Sequence, residues 1–137
     1  MINQLDPQLR SELVNYRIEK SGLALKEAEI MAQNELFDNA VTRLYYACFY
    51  AASALLIKNK IETGSHRAVK TMLSLHFVKP GLLDTKHIRT YSELLNGRQL
   101  SDYEDFFYQD RDSYETYRQD ALVFIEAIKN LIFTHES

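Results

Sequence analysis

A chain of 137 residues with 46% apolar and 26% charged residues has the size and make-up of one folded domain, and is too apolar to be disordered. Its net charge of −3 excludes a uniformly basic coat for nucleic acid. With 2 prolines and 4 glycines it offers few tight turns, which favours long helices over a sandwich or barrel.

Taken in order, Met1 to Pro7 has neither the basic start nor the apolar core of a secretion signal. One domain, residues 1–137, is therefore expected in the cytoplasm. Asp6-Pro7 pairs a capping residue with proline at the first helical position. The first helix should run from Pro7 to about Asn34, with Leu9, Leu13, Tyr16, Leu23 and Ile30 as its inward stripe, widened by Val14, Ile18 and Ala28. Gly22 weakens this helix without ending it. Glu35 to Asp38 reads as the connection, Asp38 capping the next helix, and so short a link makes the two an antiparallel hairpin.

That second helix is the centre of the chain. Leu44 to Ile57 carries no charge and is apolar or aromatic on every side of a helical wheel, so it must be enclosed. Fourteen residues reach only about 21 Å, too short for a bilayer that needs about 20 residues. Arg43 and Lys58 close the run, and no membrane association is expected. Ala47, Ala51, Ala52 and Ala54 allow close approach, and Tyr45, Tyr46, Phe49 and Tyr50 fill the space between helices. Three tyrosines in a core need partners for their hydroxyls, since a buried unpaired hydroxyl costs roughly 1–3 kcal/mol. Cys48 has no intrachain partner and reads as a small buried hydrophobe.

Asn59 to Gly64 is a polar loop, after which Ser65 can cap a third helix with Val69, Met72, Leu73, Leu75 and Phe77 inward and Pro80-Gly81 as its end. Asp84 caps a fourth helix on which Ile88, Tyr91, Leu94 and Leu95 repeat, running past Gly97 through Tyr103 to about Phe107. Asp110 to Ser113 caps the last, with Tyr117, Ala121, Phe124, Ile128 and Leu131 or Ile132 as its stripe. No strand-like alternation persists. The expected fold is all-α, an antiparallel up-down bundle of four to five helices.

The charges are split. Lys58 to Arg89 carries seven basic residues against two acids, a local +5, and Asp102 to Asp120 carries seven acids against two arginines, a local −5. A local basic face and two merely solvated faces both fit this pattern.

Chemistry-bearing motifs are few. His66, His76 and His87 are too far apart in sequence to ligate a metal from one helix face, and the chain has one cysteine, no phosphate-binding glycine loop and no nucleophile elbow. Neither metal nor cofactor is expected, and the histidines read as surface or capping residues. The informative group is Asn96-Gly-Arg98-Gln-Leu-Ser-Asp102-Tyr103. On a helix Arg98 and Asp102 stand four apart, close enough to pair, with Tyr103 beside them. This is either a plain salt bridge or an arginine held by a carboxylate to face a phosphate or a partner.

Ala40-Val-Thr-Arg-Leu-Tyr-Tyr-Ala-Cys-Phe-Tyr-Ala-Ala-Ser-Ala-Leu-Leu56, then Ser65-His66, Phe77-Val-Lys79, and Arg98 followed by Asp102-Tyr103, resemble the HEPN superfamily, and within it the small stand-alone UPF0332 proteins. The likeness runs from about Leu9 to Ile132. It implies a bundle of four or five helices, usually a homodimer. Many relatives are toxins or antiviral proteins that cut RNA without metal, through an arginine followed after four to six residues by a histidine. Histidine suits proton transfer at neutral pH, and arginine suits a phosphate gaining charge.

This chain departs from that motif. With four residues intervening, Arg98 is followed by Tyr103, then Glu104 and Asp105, and no arginine here has a histidine at the required distance. An unperturbed phenol titrates near pH 10, which makes Tyr103 a weak base at pH 7. The resemblance therefore implies first a non-catalytic dimeric binding module in a toxin-antitoxin-like system, associated with a nucleotidyltransferase partner. Arg98, Asp102 and Tyr103 would orient the partner, an RNA or a nucleotide phosphate, with Arg43, Tyr46 and His66 contributing. The alternative is a metal-independent ribonuclease toxin with a degenerate site, using Arg98, Tyr103 and a histidine supplied by the fold, such as His66. A purely structural bundle is the third reading.

Overall fold

The computed structural model describes residues 4–103 and 108–134, the side chain of Tyr103 excepted. Among them all regular structure is helical: α1 (Pro7–Gln33), α2 (Phe37–Lys58), α3 (His66–Leu73), a π-helical turn (Ser74–Val78), α4 (Lys86–Tyr103) and α5 (Arg111–Phe133). The expected continuation of α4 towards Phe107 lies outside the described residues.

The starts of α1, α3 and α5 follow their caps. Asp6 accepts from the Leu9 amide at 2.9 Å, Ser65 from Ala68 at 3.1 Å, and Asp110 from Ser113 at 2.8 Å, with the Ser113 side chain closing a reciprocal box. Asp84 accepts from the Lys86 amide at the start of α4. Asp38 does not cap α2, which already begins at Phe37. Its carboxylate instead accepts from the Gln109 amide at 2.6 Å, tying the chain before α5 to the start of α2. The third helix ends in the π turn, and Gly81, at φ 90°, reverses the chain after it.

Both α1 and α2 end without glycine. At each end two amides fold back on the last turn, Glu35 to Ala32 with Leu36 to Met31, and Lys60 to Ile57 with Ile61 to Leu56. That is a Schellman closure, which puts its C′ residue in the left-handed region, and Glu35 and Lys60 sit at φ 60° and 62°. A side chain there costs about 1–2 kcal/mol, part of which glycine returns through its freer unfolded state. Glu35→Gly is expected to raise stability by about 0.5 kcal/mol in urea titration; a loss would show that the turn is not strained.

α2 packs against every other α-helix. Its middle is sealed: Leu44, Tyr45, Ala47, Cys48, Ala51, Ala52, Ala54, Leu55 and Leu56 are at most 1% exposed. This 22-residue helix holds an 18-residue stretch of mean hydropathy 1.4, long and apolar enough to cross a membrane, but 72% of that stretch is buried by its own bundle. Tyr46, Phe49 and Tyr50 are only half-buried and lie at the edge of the core, not within it.

α1 keeps part of its predicted stripe inward: Val14 and Ala28 are buried, and Leu13 and Ile18 pack against the core. Leu9, Tyr16, Leu23 and Ile30 are about half exposed (49–55%), and Leu75 after α3 is exposed as well. The buried face of α1 is Arg10, Val14, Ser21, Ala24, Ala28 and Ala32. Small residues let it lie close upon the alanines of α2, near enough for the Ser21 hydroxyl to donate to the Ala47 carbonyl at 2.7 Å. Arg10 donates to the Ile57 carbonyl, so a buried cation closes the C-terminal end of α2.

Candidate functional site

The edge of α2 that the core leaves half open carries Tyr46 and Phe49, with Tyr45 beneath them. Onto it α3 lays His66, its first residue, and α4 lays Arg98. The His66 ring stacks on Phe49 at 4.3 Å and lies 5.6 and 5.8 Å from the Tyr45 and Tyr46 rings. The Arg98 guanidinium covers the same two tyrosines, at 5.7 and 5.4 Å from their centroids. Arg98 and His66, 32 residues apart in the chain, therefore share one aromatic floor. Arg43 also stands over Tyr46, at 4.9 Å from its ring centroid, and pairs with Glu27 of α1 at 3.4 Å.

Asp102 lies 3.5 Å from Nε of Arg98, one turn along α4, as the spacing predicts. The approach lacks hydrogen-bond geometry. Nε is fully buried and has no hydrogen-bond partner among the described residues, an arrangement that ordinarily costs about 1–3 kcal/mol. The Arg98 side chain as a whole is 19% exposed.

Beneath His66 runs a polar chain. The Tyr45 hydroxyl is 2.5 Å from His66 Nδ1 and 2.9 Å from the Tyr91 hydroxyl, which donates to the His66 carbonyl at 3.2 Å. Both tyrosines are completely buried. Burial pushes the Tyr45 phenol up to about 12 and raises Tyr91 as well, so both keep their protons. Burial, and then the nearby Arg98 charge, lower His66 below its ordinary value, so it is neutral at pH 7.

His87 is also lowered, by burial first and then by Lys86, against an opposing effect of Asp84. It is 5% exposed and packs on Phe124, so the reading of the histidines as surface or capping residues fails here. Both histidines take up a proton less readily folded than unfolded. Their contribution to stability is complete above the ordinary value of 6.5 and is lost as the pH falls below it. The urea midpoint should fall between pH 7 and pH 5, and by less in His87→Gln; an equal fall in both would discount His87.

Of the residues singled out in the sequence, Arg98, Asp102, Tyr46, His66 and Arg43 thus gather on one face, and the side chain of Tyr103 lies outside the described residues. Sequence reasoning counted Tyr91 as one of a core stripe and missed its role under the site. The signal was available: a tyrosine at a core position needs a partner for its hydroxyl. The basic residues of the Lys58–Arg89 stretch that line cavities are divided between two of them. Lys58 and Lys60 line a cavity of about 550 Å³ with Arg10, Val14 and Ile132, whereas Lys86 and Arg89 line a separate hollow with Asp120. Neither includes Arg98 or His66; the candidate site is an open aromatic face. Among the described residues no three His, Cys, Asp or Glu side chains are grouped as metal ligands.

The chain belongs to the HEPN domain family, whose profile it matches over residues 14–131. Within it, the chain is similar to a UPF0332 protein of Thermotoga maritima, 27% identical over 90% of this chain and 93% of that one. A Methanocaldococcus jannaschii protein named "Putative toxin MJ0605" is 30% identical over 93% of this chain and 94% of its own. A second from that organism, "Putative toxin MJ0142", is 36% identical over 64% of this chain and 59% of its own.

Proposed function

We propose that this protein is the HEPN member of a toxin-antitoxin-like pair, a dimeric cytoplasmic module that binds phosphate-bearing ligands through Arg98 and associates with a nucleotidyltransferase. The observation that carries the reading is Arg98 itself. It is a cation laid over two tyrosine rings, with one buried nitrogen short of a hydrogen bond. A planar guanidinium on an aromatic floor suits a phosphate beside a stacked base. The relatives with toxin names support the setting, and the family resemblance supplies the partner and the dimer.

A second reading, RNA cleavage without metal, is favoured by one observation. His66 stands on the same rings as Arg98 and is neutral at pH 7, so the acid-base group missing after Arg98 in sequence has a substitute in space.

The discriminating experiment incubates the purified protein with RNA in EDTA, beside His66→Gln, and sizes it by analytical ultracentrifugation. Bound but intact RNA, on a dimer, is the expected result. Cleavage that survives EDTA and disappears in His66→Gln would replace it with the ribonuclease reading. A monomer that neither binds nor cuts RNA would overturn both.

A further inference from the structure

The chain of contacts beneath His66 holds more information than its distances. Three hydrogen bonds link His66, Tyr45 and Tyr91, and the two phenols have one proton each to supply them. The His66 carbonyl can only accept, so Tyr91 must spend its proton there. The 2.9 Å contact between the hydroxyls then needs the proton of Tyr45. Nothing is left for Tyr45 to donate towards Nδ1, 2.5 Å away, so that contact is made by a proton on Nδ1 itself.

We infer that Tyr45 and Tyr91 are positioning residues that fix His66 as its Nδ1–H tautomer, leaving the Nε2 lone pair for a ligand hydroxyl next to the phosphate that Arg98 holds. The ligand half of this rests on the reading above, and the tautomer does not. Among the described residues nothing hydrogen-bonds Nε2, and the ring is half-buried, clamped against Phe49. The buried phenols hold their protons, so the donor order does not change near neutrality. The arrangement also survives protonation. An imidazolium keeps its Nδ1–H, so a proton can arrive at Nε2 and depart without a change in any buried bond. The other tautomer would need two hydroxyls to rotate. A ligand fitting this geometry carries a hydroxyl adjacent to a phosphodiester, as a ribose does and a deoxyribose does not.

The test is long-range proton–nitrogen correlation NMR on the full chain labelled with nitrogen-15 in histidine, above pH 7.5. In the native protein His66 should show a protonated Nδ1 and an unprotonated Nε2. In Tyr91→Phe the Tyr45 proton is released to Nδ1, and the two nitrogen signals should exchange character. A native His66 protonated at Nε2 would overturn the inference, whatever the protein does to RNA. A Tyr91→Phe spectrum identical to the native one would remove Tyr91 from the device. The ligand reading stands or falls separately: an Nδ1–H tautomer in a protein that binds RNA and its deoxy counterpart equally would leave the positioning intact and overturn the hydroxyl ligand.

Discussion

Arg98→Lys is expected to weaken binding of a short RNA oligonucleotide about 10- to 100-fold, while the thermal unfolding midpoint stays nearly unchanged. The substitution keeps the charge and discards the geometry. An ammonium cannot lie flat across the Tyr45 and Tyr46 rings, and it cannot present two parallel donors to a phosphate. One charge-assisted bond is worth about 1.5–3 kcal/mol, which sets the range. Folding should be spared because the replaced group already leaves a buried nitrogen without a hydrogen bond. Fluorescence anisotropy gives the affinity and circular dichroism the midpoint. Equal affinities would show that Arg98 acts only as a charge, and a midpoint lowered by tens of degrees would make it a structural ion pair with Asp102.

Phe124→Ala should cost about 3–5 kcal/mol, a large share of what a domain of this size has. Phe124 is fully buried on α5 and faces the rings of His87 and Tyr91, at 6.1 and 6.0 Å. Truncation leaves a cavity against Tyr91, one of the two tyrosines beneath His66, so RNA binding should weaken even where the variant remains folded. Val123, its neighbour on the helix, is 50% exposed. Val123→Ala should move stability by no more than about 0.5 kcal/mol. Urea titration of both variants checks the contrast, and a Phe124→Ala cost below 1 kcal/mol would mean that the core closes over the gap.

The central, largely enclosed place of α2 was legible because a fourteen-residue run without charge demands cover, although the half-open edge of Tyr46, Phe49 and Tyr50 was not. Caps at Asp6, Ser65 and Asp110 were legible because a short polar side chain before an apolar repeat has one good use. The face of α1 was legible only in part, through Leu13, Val14, Ile18 and Ala28. Leu9, Tyr16, Leu23 and Ile30 recur every seven residues and look like a core stripe, yet alanines and Ser21 lie inward, because closeness to α2 favours small residues over large apolar ones. The ends of α1 and α2 were obscure for a related reason: their left-handed positions hold Glu35 and Lys60, where glycine would have announced them. At the site, Arg98 with Asp102 followed from their spacing on one helix. The meeting of Arg98 with His66 did not, since it depends on two helices crossing the same rings. Only the tyrosine hydroxyls, unusual in so apolar a stretch, hinted that something polar had to come to them.

Since α2 touches every other α-helix, no part of the bundle can peel away without stripping it. Slow hydrogen exchange at its central amides would then report only complete unfolding, with no partial opening that exposes the Tyr45 floor on its own. The aromatic face would persist for as long as the fold itself, and a cell that needs to silence this protein would have to cover that face or degrade the whole molecule.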